Sequence, residues 1–114
     1  MILAFAAAVA AVGVVGLVRD ENSGSAHEIA RTSAGWEPST LTVDRGATVV
    51  FVNESVDETW PASDVHPTHE LLDGFDARRG VTRGASWSFT FERSGRFGFH
   101  DHLAPETTGT VVVR

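Results

Sequence analysis

From about Ala26 onward the chain shows no apolar period of helical type longer than a turn or two. Short runs rich in Val, Thr, Phe and Trp instead recur between Gly, Pro, Asn and Asp clusters. The clearest run is Ser86 to Glu92, where Trp87, Phe89 and Phe91 alternate with Ser86, Ser88, Thr90 and Glu92. Alternation of period two sends the three aromatics to one face of a strand, and that face must be buried against a second layer. The pattern therefore predicts an all-β domain with these aromatics in its core. The expected strands are Glu28 to Ser33, Thr40 to Val43, Ala47 to Asn53, Ser86 to Glu92, Gly95 to His100 and Gly109 to Val113. Between Asn53 and Ser86 there is no clean strand signal, and long irregular segments in compact domains are either functional or disordered.

A different kind of sequence precedes the domain. Ile2 to Val18 are apolar or small without interruption, and Arg19-Asp20-Glu21 then begins a polar stretch. This length lies near the lower limit for spanning a bilayer and is long for a signal-peptide core. No Arg or Lys precedes it, so an uncleaved anchor, a cleaved signal and a buried helix all stay open. The expected layout is a hydrophobic helix acting as anchor or signal over 1–19, a flexible tether over 20–27 containing Asn22-Ser23-Gly24-Ser25, and the β domain over 28–114. An anchor or signal of this kind predicts an extracytoplasmic domain, membrane-anchored or secreted.

Composition removes several function classes. The net charge of −6, with every basic residue an Arg and no Lys, lacks the basic stripe of a nucleic-acid binder. No cysteine is present, which excludes a disulfide framework, a thiolate metal site and a cysteine nucleophile. No phosphate-binding glycine loop or strand-turn-helix nucleophile context occurs either.

What stands out chemically is histidine. Four of the five histidines form two tight pairs, His66 and His69 in His66-Pro67-Thr68-His69, and His100 and His102 in His100-Asp101-His102. Neutral imidazole is the commonest protein ligand for borderline transition metals, and pairs from separate segments can converge on one ion. In an extended strand residues i and i+2 share a side, so His100 and His102 are expected to face one ion while Asp101 faces away. The proline in the first pair restricts its turn and lowers the entropy cost of arranging ligands. Asp64, Glu70 and Asp101 are the nearby carboxylates that can complete a coordination sphere or orient an imidazole. His27 stands apart as a solvent-facing residue at the domain entry, or as a copper-chelating N-terminus if cleavage follows Gly24-Ser25-Ala26. Arg78, Arg79 and Arg83 cluster in one loop as partners for nearby acids or as a docking patch.

With strands and loops laid out, the chain from residue 28 to 114 resembles a single-domain cupredoxin. Gly35-Trp36-Glu37-Pro38, Leu41-Thr42-Val43, Gly46 and Val50-Phe51-Val52-Asn53 resemble the opening strands of small periplasmic members, and Gly109 to Val113 resembles the closing strand. The resemblance implies a Greek-key β-sandwich and copper. It also marks a departure, because the Cys, His and Met that blue members carry before the last strand would fall at Asp101, Ala104 and Thr107. The Gly95 to His102 segment is similar to the H-x-H segments of multicopper oxidase domains. Trp60 through His69 resembles a variant group of membrane-anchored bacterial and archaeal cupredoxin-like proteins.

These readings lead to an exported, membrane-tethered, copper-binding domain with a non-blue mononuclear site at His66, His69, His100 and His102. Asp101 is a further candidate ligand should the loop follow family geometry. Electron transfer or copper handling is the expected role, with a redox or copper-donor protein as partner and no catalytic residues assigned. The alternatives are a structural zinc site closing the long loop, and a metal-free interaction domain docking through Trp36, Trp60 and the arginine loop.

Overall fold

A computed structural model describes residues 27–64 and 72–114. The expected N-terminal helix and most of the tether, together with His66, His69 and Glu70, lie outside the described residues. Eight strands follow in order: β1 (His27–Thr32), β2 (Gly35–Glu37), β3 (Thr40–Val43), β4 (Thr48–Asn53), β5 (Pro61–Ser63), β6 (Ser86–Thr90), β7 (Gly95–Asp101) and β8 (Ala104–Val113). They build two four-stranded sheets, ordered β2-β1-β4-β6 and β3-β8-β7-β5. The fold among the described residues is thus the all-β sandwich that the alternating pattern predicts.

Both sheets are mixed. β1 runs parallel to β4 and β3 parallel to β8, while the remaining neighbours are antiparallel. Alternation decides which side chains meet between the sheets. On β4, Val49, Phe51 and Asn53 are buried, and on β7, Phe97, Phe99 and Asp101 are. Val111 and Val113 close the core from β8, and Trp36 joins from β2. At its centre lies Phe75, which belongs to no strand; its ring centroid is 5.5 Å from that of Phe51, 5.3 Å from Phe91 and 5.7 Å from Phe99.

Several expectations are corrected in detail. Of the three alternating aromatics only Phe91, the residue after β6, is fully buried, whereas Trp87 and Phe89 on β6 are half-buried and pack against the rim of the core. The reason is that β6 is an edge strand with a neighbour on one side only. β2 and β5 are not among the strands that the apolar pattern marks, since three residues carry too little pattern to read, although the family resemblance at Gly35 to Pro38 coincides with β2. β5 exists because β7 offers it an edge, pairing Pro61 with Asp101, Ala62 with His100 and Ser63 with Phe99. β8 begins at Ala104, five residues earlier than expected, because the chain reverses at once after Asp101 through His102 and Leu103.

Candidate functional site

The β7–β8 connection holds the described histidine pair. Pairing steps from His100 with Thr108 to Asp101 with Ala104, so residues 105 to 107 bulge from β8 at this point. His100 ends the regular part of the strand and points to the outer face, while the following residue points into the sandwich. His102 lies in the two-residue turn and not on the strand, which corrects the expectation that a shared strand face aligns the two imidazoles. The turn nevertheless brings them near each other, with ring centroids 6.0 Å apart. With metal–nitrogen bonds of about 2.0–2.1 Å, two imidazoles on one ion at a right or tetrahedral angle have centroids about 4.5–5 Å apart, so these two rings are about an ångström further apart than a shared ion would set them.

Each imidazole has its own support. His100 Nδ1 is 2.9 Å from Asp64 Oδ1. A carboxylate only accepts, so the contact places a proton on Nδ1, and in the neutral ring Nε2 is then the free lone pair. For His102, the Trp60 indole is the wall, with ring centroids 4.8 Å apart and tilted by 48°. Trp60 is held in turn by its own Nε1, which donates to Asp76 Oδ1 at 2.7 Å, and its carbonyl accepts from the His102 amide at 2.7 Å.

Asp101 does something else. Its side chain is 1% exposed and faces Arg31, whose Nε donates to Oδ2 at 3.0 Å; the Arg31 side chain is 13% exposed. Oδ1 accepts from the backbone amides of Trp60 at 2.9 Å and Leu103 at 3.0 Å. The second contact spans two residues and shapes the turn that carries His102, as Asp side chains commonly do. Burial alone would raise the Asp101 pKa, but the nearby Thr59 hydroxyl together with hydrogen bonds from Trp60, Leu103 and Arg31 outweighs it and holds the carboxyl below its ordinary value. The Thr59 hydroxyl favours the charged form by proximity, while its Oγ1 is buried without a hydrogen-bond partner among the described residues. The guanidinium also donates to the Thr32 carbonyl and to Thr107 Oγ1, the latter at 3.5 Å. Both carboxylate oxygens are therefore already engaged by protein donors.

A thiolate-type copper centre does not fit these residues. Of the three positions that the blue pattern would occupy, Asp101 is paired with Arg31, Ala104 has no donor, and the Thr107 carbonyl accepts from Trp36 Nε1 at 3.2 Å. An imidazole site on the outer face fits better, since His100 and His102 are close and His100 is oriented by a carboxylate. Among the described residues no group of three or more His, Cys, Asp or Glu side chains is arranged to hold a metal ion.

The other sequence candidates separate from this centre. His27 opens β1 four residues before Arg31, about 13 Å along the strand from the Asp101 end. Trp36 is in the core, which removes it from any docking surface. Asp76 caps the turn that carries Arg78, its Oδ1 accepting from the Arg78 amide at 2.9 Å. Arg31 and Asp76 were not anticipated as parts of the site. Nothing local in the sequence marks either, since their partners lie 70 and 16 residues away.

No protein-family model and no curated protein sequence matches the chain. Solved structures do. A structure described as a novel purple cupredoxin from Nitrosopumilus maritimus aligns with TM-score 0.68 and 18% identity, over 77% of this chain and 99% of that one. A Cu(I) form of an amicyanin variant aligns with TM-score 0.68 and 22% identity, over 78% and 82% of the two chains. A copper-containing nitrite reductase from Thermus scotoductus SA-01 aligns with TM-score 0.67 and 18% identity, over 79% of this chain but 22% of the enzyme. The sandwich is therefore cupredoxin-like in fold, as the sequence resemblance implies; identities this low carry the fold alone.

Proposed function

We propose that the domain binds one copper ion through imidazoles at the outer β7 face, using His100 and His102 with His66 and His69 from the neighbouring segment. The observation that carries this reading is the Asp64 carboxylate on His100 Nδ1, which leaves Nε2 available as a ligand. Carboxylate-oriented imidazoles are characteristic of metal sites, because the outer hydrogen bond fixes ring and tautomer before the metal arrives. The sequence adds that His66 follows Asp64 by two residues. Copper held by imidazole without thiolate supplies a one-electron couple and lacks the intense blue colour. On this reading the protein is an exported, membrane-tethered electron carrier or copper handler, meeting a redox or copper-donor protein.

The test is metal loading of the full-length chain followed by EPR and metal analysis. One copper per chain with nitrogen hyperfine structure is expected, lost in the His100→Ala/His102→Ala variant. Uptake no greater than that of the variant would sink the reading. Zinc is separated by the same preparation: a chain that unfolds on chelation and refolds with zinc in preference to copper has a structural site instead.

A further inference from the structure

Gly98 stands in the middle of β7 between Phe97 and Phe99, where a strand interior ordinarily carries a side chain. Its backbone is not in the positive-φ region that requires glycine. What it lacks is room. A Cβ on Gly98 would lie 2.5 Å from Asp64 Oδ2 and 3.5 Å from Asp64 Cγ. Asp64 follows β5 directly, its amide donating to the Gly98 carbonyl at 3.0 Å, so its carboxylate lies along the bare outer face of β7. From there Oδ1 reaches Nδ1 of His100, two residues further along the strand.

We infer that Gly98 is a positioning residue: its missing side chain lets the Asp64 carboxylate lie on β7 and hold His100 in the tautomer with Nε2 unprotonated. The importance of that tautomer for copper rests on the function proposed above, whereas the tautomer itself does not. Gly98→Ala is a selective probe, since the group it displaces is the far end of one side chain. Gly109, by contrast, has atoms of the Phe99 ring at 2.6 and 2.9 Å from its would-be Cβ and the Ser39 carbonyl at 3.1 Å, so a methyl there pushes on core and backbone.

The experiment is long-range proton–nitrogen NMR of histidine in the metal-free, full-length chain, comparing wild type, Gly98→Ala, Asp64→Ala and the double variant. Copper half-saturation and the thermal midpoint are measured on the same samples. Spectra are recorded at a pH where the ring is neutral, and the neutral wild-type His100 is expected to carry its proton on Nδ1. Both single variants should populate the Nε2–H form and raise the copper half-saturation concentration about 10-fold, with no further loss in the double variant. The Gly98→Ala midpoint should stay within a few degrees of wild type. A His100 that keeps the Nδ1 proton in folded Gly98→Ala overturns the inference. So does an unchanged tautomer in Asp64→Ala, which leaves the strand untouched and covers the case where Gly98→Ala fails to fold. A tautomer shift in both variants without any copper effect upholds the positioning role and overturns the copper reading instead.

Discussion

Replacing Arg31 with Met takes the guanidinium away from a carboxylate that is 1% exposed. Breaking a buried ion pair by removing one partner costs about 3–5 kcal/mol. Two backbone amides continue to hold Asp101 Oδ1, so the expected cost lies at the lower end, about 3 kcal/mol. Asp101→Asn should cost a similar amount by a different route. Its carbonyl can keep the Trp60 and Leu103 amides, but its NH2 then faces Arg31 Nε, donor against donor. For a domain of this size each single change should lower the thermal midpoint by about 12–24 °C. The double variant removes both charges and leaves neither stranded, so its cost should be close to that of one single variant, a coupling of about 2–3 kcal/mol. Urea unfolding at neutral pH, followed by tryptophan fluorescence, measures all four corners of the cycle. Additive costs, with coupling below about 0.5 kcal/mol, would refute the claim that this pair joins β1 to β7 as one unit.

Acid should expose the same carboxylate. A carboxyl whose folded pKa is lowered adds stability above its unfolded value of about 3.9 and loses it as pH falls through the folded value. Unfolding free energies measured between about pH 6 and pH 3 should therefore fall less steeply in Asp101→Asn than in wild type, and parallel slopes would contradict the hydrogen-bond assignment. Phe75→Ala should cost about 3–5 kcal/mol although Phe75 belongs to no strand, because its ring meets Phe51, Phe91 and Phe99; chemical denaturation checks it, and a cost below about 1 kcal/mol would mean the ring is not a core element. Gly109→Ala should destabilise by about 1–3 kcal/mol through overpacking on Phe99, clearly more than Gly98→Ala, and equal midpoints for the two would contradict the contacts described. If copper binds at His102, Trp60 at 4.8 Å should lose fluorescence on Cu(II) addition, and Trp60→Phe should abolish most of that quenching.

The alternation of apolar and polar residues was enough to determine a β-sandwich, because period two leaves a strand only one way to bury Val49, Phe51, Phe97 and Phe99. It also determined that Asp101 faces away from the flanking His100, and composition alone ruled out a thiolate centre. Tertiary structure decided what those facts amount to. That Asp101 is neutralised by a guanidinium 70 residues earlier depends on how the two sheets stack, a long-range arrangement with no trace in either local segment. The same holds for β5, three residues of weak strand character that form a strand because β7 on one side and residues 75 to 77 on the other bond its backbone. His102 shows the limit most plainly: two residues of separation read as one strand face, but a tight turn intervened, fixed by the Asp101 carboxylate and walled by a tryptophan from a different part of the chain. Local pattern sets which face a side chain takes, and packing between distant segments sets what it meets there.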